Sequence, residues 1–299
     1  MSFPSNLERQ IATAIAAVVA VEPSDLQMTR INGGDINNAY RFSIAGHHYF
    51  VKTNIAERLA MFEAEFDALQ EIAASKTIAA PLPICVNIAE GQSFIVLEWH
   101  DLRPLNQATA LRFGNALAAL HRCTATGFGW HRDNTIGSTP QINSYCEEWL
   151  PFWKERRLAP QLALAARNGY MGTVQQAGKE ILERCDVLFT NYSPRPSLLH
   201  GDLWYGNAAC NASSEPIIFD PACYYGDRET DLAMMELFSG FPKAAMQFYK
   251  TAWPLDEGYK KRRAFYNLYH LLNHLNLFGS SYLRQVEATM QEIIIAFDA

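Results

Sequence analysis

Hydrophobic positions change rhythm once along this chain, near residues 99–103. Before that point short apolar runs with two-residue alternation predict strands at 26–31, 39–44, 48–53, 84–88 and 93–99. Ala45-Gly46-His47 and Glu90-Gly91 supply the tight connections of two hairpins. Ser5 and Glu8 have the spacing of a capping box for a first helix reaching about residue 20. Residues 58–74 repeat at helical spacing, with Leu59, Phe62, Phe66 and Leu69 on one face. Asn32-Gly33-Gly34-Asp35 reads as a turn between the first two strands.

Beyond residue 101 the spacing is mostly helical. Helices are predicted at 106–122, 142–157, 171–192, 228–238, 243–253, 260–278 and 281–297, with 123–141 as a loop. Strands are expected only at 197–199, 208–210 and 216–219. The fold class is therefore α+β. A small antiparallel-sheet lobe at 1–100 precedes a large helical lobe at 101–299, and a cleft between two lobes is a common ligand site.

Composition narrows the function classes. With 299 residues, 49% hydrophobic and 19% charged, the chain can build a sizeable core and is not a disordered sequence. A net charge of -6 argues against a nucleic-acid backbone as partner, but not against a nucleotide met by a local positive patch. The six cysteines are scattered without a C-x-x-C pair, which argues against a zinc cluster and for reduced thiols. The apolar run 11–21 is too short to span a bilayer, and no signal peptide is visible. A cytoplasmic protein, expected to be monomeric and without membrane or nucleic-acid partners, fits these features.

The chemistry concentrates in Leu199-His200-Gly201-Asp202-Leu203-Trp204-Tyr205-Gly206-Asn207 and in Ile217-Ile218-Phe219-Asp220. The spacing of Asp202 and Asn207 matches the catalytic loop of protein kinases. In that pattern Asp202 orients an attacking hydroxyl and takes its proton, while Asn207 and Asp220 hold Mg2+ on ATP, a cation that prefers oxygen ligands. The plain alternative is a solvated loop with ordinary turn carboxylates; the added Asn and the strand-terminal Asp weigh against it. Lys52, ending Phe50-Val51-Lys52, is placed to reach the phosphates. Glu63 and Glu65 both qualify as its partner, and the packing face of the helix favours Glu65. Gly33 and Gly34 can offer backbone amides to phosphate oxygens, although a plain hairpin turn explains them as well. The link Glu98, Trp99 and His100 suits adenine. His270 and His274 stand four apart on a helix, but no H-E-x-x-H completes a metal site, so a core or interface role is expected. Asp231 opens a helix, where it either favours the helix N-terminus or holds the catalytic loop through backbone hydrogen bonds.

Laid out in this way, the chain resembles the fructosamine kinase (ketosamine-3-kinase) family over nearly its whole length. The resemblance is carried by Gly33-Gly34 with Ile36-Asn37, Met61-Phe62-Glu63-Ala64-Glu65, Asn134-x-Ile136-Gly137, Gln141-x-Asn143, and above all His200-Gly201-Asp202-Leu203-Trp204-x-Gly206-Asn207. Asp220-Pro221-Ala222 and Tyr225-Gly226-Asp227-Arg228-Glu229-x-Asp231 continue it. It implies a protein-kinase-like fold and ATP-dependent phosphorylation of a sugar hydroxyl on a ketoamine, either a small molecule or a glycated protein lysine, and hence a part in deglycation. On this analogy Asp202 is the catalytic base, Lys52 and Glu65 anchor phosphate, Asn207 and Asp220 bind metal, and Trp204 walls the sugar. Two departures matter: Asp220-Pro221-Ala222 is not D-F-G, so switching by a loop Phe is not expected, and Asp35 stands in the Gly-rich turn where some members of the family carry a cysteine, so redox control there is not expected. Another small-molecule kinase of this fold, acting on aminoglycosides or choline, and a non-catalytic nucleotide-binding regulator are the alternatives.

Overall fold

Ser5 Oγ accepts from the Glu8 N–H and Glu8 accepts from the Ser5 N–H, so a capping box starts α1 (Asn6–Ala16) in the computed structural model, which describes residues 4–31 and 36–298. The helix stops about four residues before its expected end. The N–H groups of Val18 and Val19 both turn back to the Ile15 carbonyl. Ile11, Ala12 and Ile15 pack against Phe42, Ile44, Val51, Phe94 and Val96 on one face of a sheet.

That sheet contains β1 (Gln27–Ile31), β2 (Asn38–Ile44), β3 (His47–Ile55), β4 (Pro83–Ala89) and β5 (Gln92–Glu98), in the order β1-β2-β3-β5-β4, all antiparallel. The β2–β3 turn is two residues long, with φ of 47° at Ala45 and 79° at Gly46, the backbone hand that matches strand twist. Central β3 buries Val51, Lys52 and Thr53. Between β3 and β4 runs α2 (Leu59–Ser75), burying Phe62, Glu65, Leu69 and Ile72 at helical spacing. It ends at Lys76 in the left-handed conformation. The expected turn at Asn32-Gly33-Gly34-Asp35 lies outside the described residues.

The second half is mostly helical: α3 (Ala110–His121), α4 (Trp149–Trp153), α5 (Ala159–Arg167), α6 (Thr173–Arg184), α7 (Glu229–Leu237), α8 (Lys243–Ala252), α9 (Tyr259–Phe278) and α10 (Leu283–Phe297). Three small antiparallel pairs punctuate it: β6 (Asn134–Ile136) with β7 (Thr139–Gln141), β8 (Ser197–Leu199) with β11 (Tyr224–Gly226), and β9 (Ala208–Cys210) with β10 (Pro216–Ile218). Helix α9 is buried almost all round from Ala264 to Leu275 and anchors the core with Trp149 and Trp153.

The structure corrects several expectations. Residues 142–157 are not one helix. Asn143 is held extended by the Trp130 N–H on its carbonyl and by Asp133 on its own N–H, so helix begins only at Trp149. After α4 a π-helical turn (Lys154–Leu158) folds the Arg157 guanidinium inward onto Ile142 O and Asn143 Oδ1, and α5 follows. The loop 123–141 contains the β6–β7 hairpin. The helix expected from 106 begins at Ala110, and the one expected over 171–192 is α6 followed by a 3-10 segment (Cys185–Phe189).

Backbone bonding ties the sheet half and the link after it to the β9–β10 pair. Ile218 N–H donates to Ala79 O across the boundary, and Arg103, just past the link, exchanges bonds of 2.8 Å with Cys210 in both directions.

Candidate active site

Strand β8 delivers His200-Gly201-Asp202 to the cleft. Gly201 has φ +81°, and a Cβ there would sit 2.1 Å from Ala222 O, so the two loops approach as closely as backbone permits. Ala222 N–H donates to His200 O at 2.8 Å. The buried His200 imidazole donates from Nε2 to Phe219 O (2.9 Å) and accepts the Asp202 N–H at Nδ1 (3.3 Å). Burial lowers its pKa, which keeps it neutral and suits both bonds. Beneath the loop the Asp231 carboxylate accepts the His200 N–H (2.8 Å) and the Gly201 N–H (2.9 Å). Asp231 also faces His121 Nε2 at 3.2 Å, and His121 Nδ1 meets the Tyr249 hydroxyl. Burial alone would raise the Asp231 pKa; the His121 contact, with the Gly201 N–H, holds it lowered. Of the two roles the sequence left open, Asp231 therefore has the second.

Asp202 faces the cleft. Burial, then the charges of Asp220 and Asp231, push its carboxyl up to about 7, against the hydrogen bond from Asn207. A bound cation would act in the opposite direction. Asn207 Nδ2 donates to Asp202 O (2.9 Å) and Oδ2 (3.3 Å), which turns its side-chain oxygen toward other partners. The Asn207 carbonyl accepts the Phe219 N–H at 3.0 Å, so Asn207 and the residue before Asp220 are tied by backbone. Asp220 itself has φ 58°, an uncommon conformation for a carboxylate residue and one that gathers at functional sites.

Lys52 joins the two lobes within the cleft. Lys52 Nζ lies 2.6 Å from Glu65 Oε1 and 2.5 Å from Asp220 Oδ1. Burial works against the ammonium, but the Asp220 and Glu65 charges together outweigh it and raise its pKa. Glu63, the other candidate, points instead to Arg132. Asn207 and Asp220 offer oxygen donors alone. Among the described residues no cluster of three or more His, Cys, Asp or Glu is placed to hold a metal. An amide and a single carboxylate suit a cation that completes its shell with phosphate and water.

Lys52, Glu65, Asp202, Asn207 and Asp220 all line one cleft of about 1240 Å³. The link Glu98, Trp99 and His100 lines it too, as does Trp204. Trp204 is 42% exposed, and its ring lies over Gly206, where a Cβ would come within 2.1 Å of the indole. Gly33 and Gly34 lie outside the described residues.

Sequence reasoning missed part of the cleft. Asn134 to Gly137 form one wall, from a segment read as loop. His274, expected in a core or an interface, lines the cleft beside Phe238, Phe278 and Tyr282, with ring centroids 4.8 to 5.5 Å from theirs. Helical spacing placed these rings on faces, but it does not say which face meets a cleft.

A family model described as fructosamine kinase matches residues 7–296. A Synechocystis protein named as a probable ketoamine kinase is 43% identical over 91% of this chain and 92% of its own length. The chloroplastic protein-ribulosamine 3-kinase of Arabidopsis thaliana is 40% identical over 88% of this chain and 82% of its own length. Among solved structures, a Haemophilus somnus protein assigned as a fructosamine-3-kinase superposes with a TM-score of 0.88 at 29% identity, covering 97% of this chain and all of that one. An aminoglycoside phosphotransferase in a ternary complex with AMP-PNP and hygromycin B superposes with a TM-score of 0.68 at 14% identity, covering 98% of both chains, a likeness of fold alone. A match that runs from α1 into α10, beside relatives about 40% identical along most of their length, makes this chain a member of the fructosamine kinase family, with the kinase-like α+β fold.

Proposed function

We propose that the protein transfers the γ-phosphoryl group of ATP to a sugar hydroxyl of a ketoamine, of the fructosamine or ribulosamine type, as a step in deglycation. The observation that carries this reading is the meeting of Lys52 with both Glu65 and Asp220, from three separate elements, in the cleft that also holds Asp202. Residues 1–100 serve as the nucleotide-binding lobe and 101–299 as the lobe that carries the catalytic loop and the acceptor site.

In this mechanism the chain mainly positions its substrates and balances their charge. Lys52 has three donors; Glu65 and Asp220 occupy two, and the third is free for a phosphate oxygen. Asp202 accepts a hydrogen bond from the acceptor hydroxyl and takes its proton late. The Asn207 amide on its Oδ2 and the loop backbone fix the carboxylate for that role. Asn207 Oδ1 and the Asp220 carboxylate would hold Mg2+, which neutralises charge on the transferring group when bound. Trp204 gives the sugar an apolar wall, and the link Glu98 to His100 receives adenine through backbone groups. Gly33 and Gly34 are assigned to the phosphates on the sequence alone.

The same reading makes the protein a cytoplasmic monomer. Six unpaired thiols support a reducing compartment. The test is incubation with Mg·ATP and fructose- or ribulose-modified lysine, followed by phosphorus NMR of the product. A new sugar phosphate ester is expected. Turnover of an aminoglycoside or choline with none of any ketoamine would replace this reading with the neighbouring small-molecule kinase.

A further inference from the structure

Helix α2 carries a second row of carboxylates that the phosphate-anchoring role does not use. Glu63, Asp67 and Glu71 stand four residues apart, one above another, over about 12 Å of helix. Glu65, two residues from Glu63, lies about 200° around the axis, on the opposite face toward Lys52. Every carboxylate of the outer row is gripped by the helical half. Arg132 reaches Asp67 (2.6 Å) and Glu63 (3.1 Å) with its two terminal nitrogens. Glu71 accepts from the Trp130 indole N–H through one oxygen and from the Tyr225 hydroxyl (2.6 Å) through the other.

The gripping segment is itself fixed to the catalytic elements. Gly129 exchanges backbone bonds of 2.9 and 2.8 Å with Tyr225 in β11, the strand paired with β8, which runs into the catalytic loop. Gly129 has φ +119°, and a Cβ there would lie 2.4 Å from Asn143 O, so no other residue fits. A few residues on, Asn134 donates to Cys223 O (2.8 Å) and Gln141 to Ala222 O (3.1 Å), the carbonyls just after Asp220. One stretch, 129–141, thus holds both the outer face of α2 and the loop that carries Asp220.

We propose that Arg132, Trp130 and Tyr225 are positioning residues: by clamping Glu63, Asp67 and Glu71 they stop α2 from rotating and so keep Glu65 against Lys52. Glu65 leaves Lys52 only when the outer row lets go, so the Lys52–Glu65 pair forms without a separate activating event. The proposal rests on the reading that this pair anchors ATP.

The test compares steady-state kinetics and Mg·AMP-PNP affinity for wild type, Arg132→Ala, Arg132→Lys, Tyr225→Phe, Glu65→Gln and the Arg132→Ala/Glu65→Gln double variant. Arg132→Ala should raise the ATP KM about fivefold and leave the ketoamine KM within about twofold. Arg132→Lys should recover most of that loss, and Tyr225→Phe, which removes one hydroxyl from an intact ring, should shift the ATP KM in the same direction by less. In the Glu65→Gln background Arg132→Ala should add less than about twofold, because the group it positions is already gone. Full multiplication of the two effects, or an unmoved ATP KM in both Arg132→Ala and Tyr225→Phe, overturns the proposal. Lys52→Met separates the two layers: an unchanged ATP KM there removes the anchoring reading and the proposal with it, whereas a large rise beside unmoved Arg132 and Tyr225 variants removes the proposal alone.

Discussion

Asp231 accepts the backbone N–H of Gly201 at 2.9 Å, from a helix thirty residues further along the chain. With the matching bond to His200, a single buried carboxylate sets the backbone of the loop that presents Asp202. An amide at this position has one acceptor oxygen and would aim N–H groups at a donor. Asp231→Asn should therefore lower kcat by about a hundredfold and stability by about 3 kcal/mol. Turnover assays and urea unfolding check both; a kcat within about twofold of wild type would show that the loop holds its shape without this carboxylate.

Trp204 is kept in place by what lies beneath it. The indole occupies the space that a side chain at residue 206 would need. Gly206→Ala should displace the exposed ring rather than the buried backbone and raise the ketoamine KM about tenfold, with Mg·ATP affinity nearly unchanged. Trp204→Ala should do the same. Calorimetry with AMP-PNP beside acceptor kinetics separates the two sites, and a rise in ATP KM alone would place Trp204 on the wrong substrate.

His270 gives the fold a pH dependence of defined sign. Burial, reinforced by His274 and Arg157 and opposed by Asp231, lowers its pKa from 6.5 to about 3. The folded state thus binds fewer protons than the unfolded chain between these values. The stability from the neutral ring is fully present above about pH 6.5 and drains away as pH falls toward 3. Denaturant unfolding should lose about 2 kcal/mol from this group between about pH 7.5 and about pH 5.0. His270→Phe, which cannot titrate, should flatten the profile by that amount; an unchanged slope would show that other groups set it.

The proposed catalytic segment stands out in the sequence because its residues are local: Asp202, Asn207 and Asp220 fall within nineteen residues, bounded by short apolar strands, and all three line the cleft. Glu65 was legible because helical periodicity separates it from Glu63. The segment from 123 to 148 was not. Its strands are three residues long, β7 contains Pro140, and its shape depends on partners far away: Cys223, Tyr225 and helix α2. The π-helical turn at 154–158 was hidden for a similar reason. Trp149, Phe152 and Trp153 do repeat as a helix, but the inward Arg157 answers to Ile142 and Asn143, not to local propensity. His274 shows the same limit, since periodicity gives a face and only tertiary packing says what the face meets.

In the proposed mechanism Asp202 activates a ketoamine hydroxyl beside a triphosphate held by Lys52, Asn207 and Asp220. Its most direct measurement is phosphoryl transfer from Mg·ATP to ribulose- or fructose-lysine by wild type and Asp202→Asn, with AMP-PNP affinity measured on both. Wild type should phosphorylate the ketoamine, and the variant should lose about a thousandfold or more of that rate while binding nucleotide within about threefold of wild type. Near-normal turnover by Asp202→Asn would show that another group activates the hydroxyl.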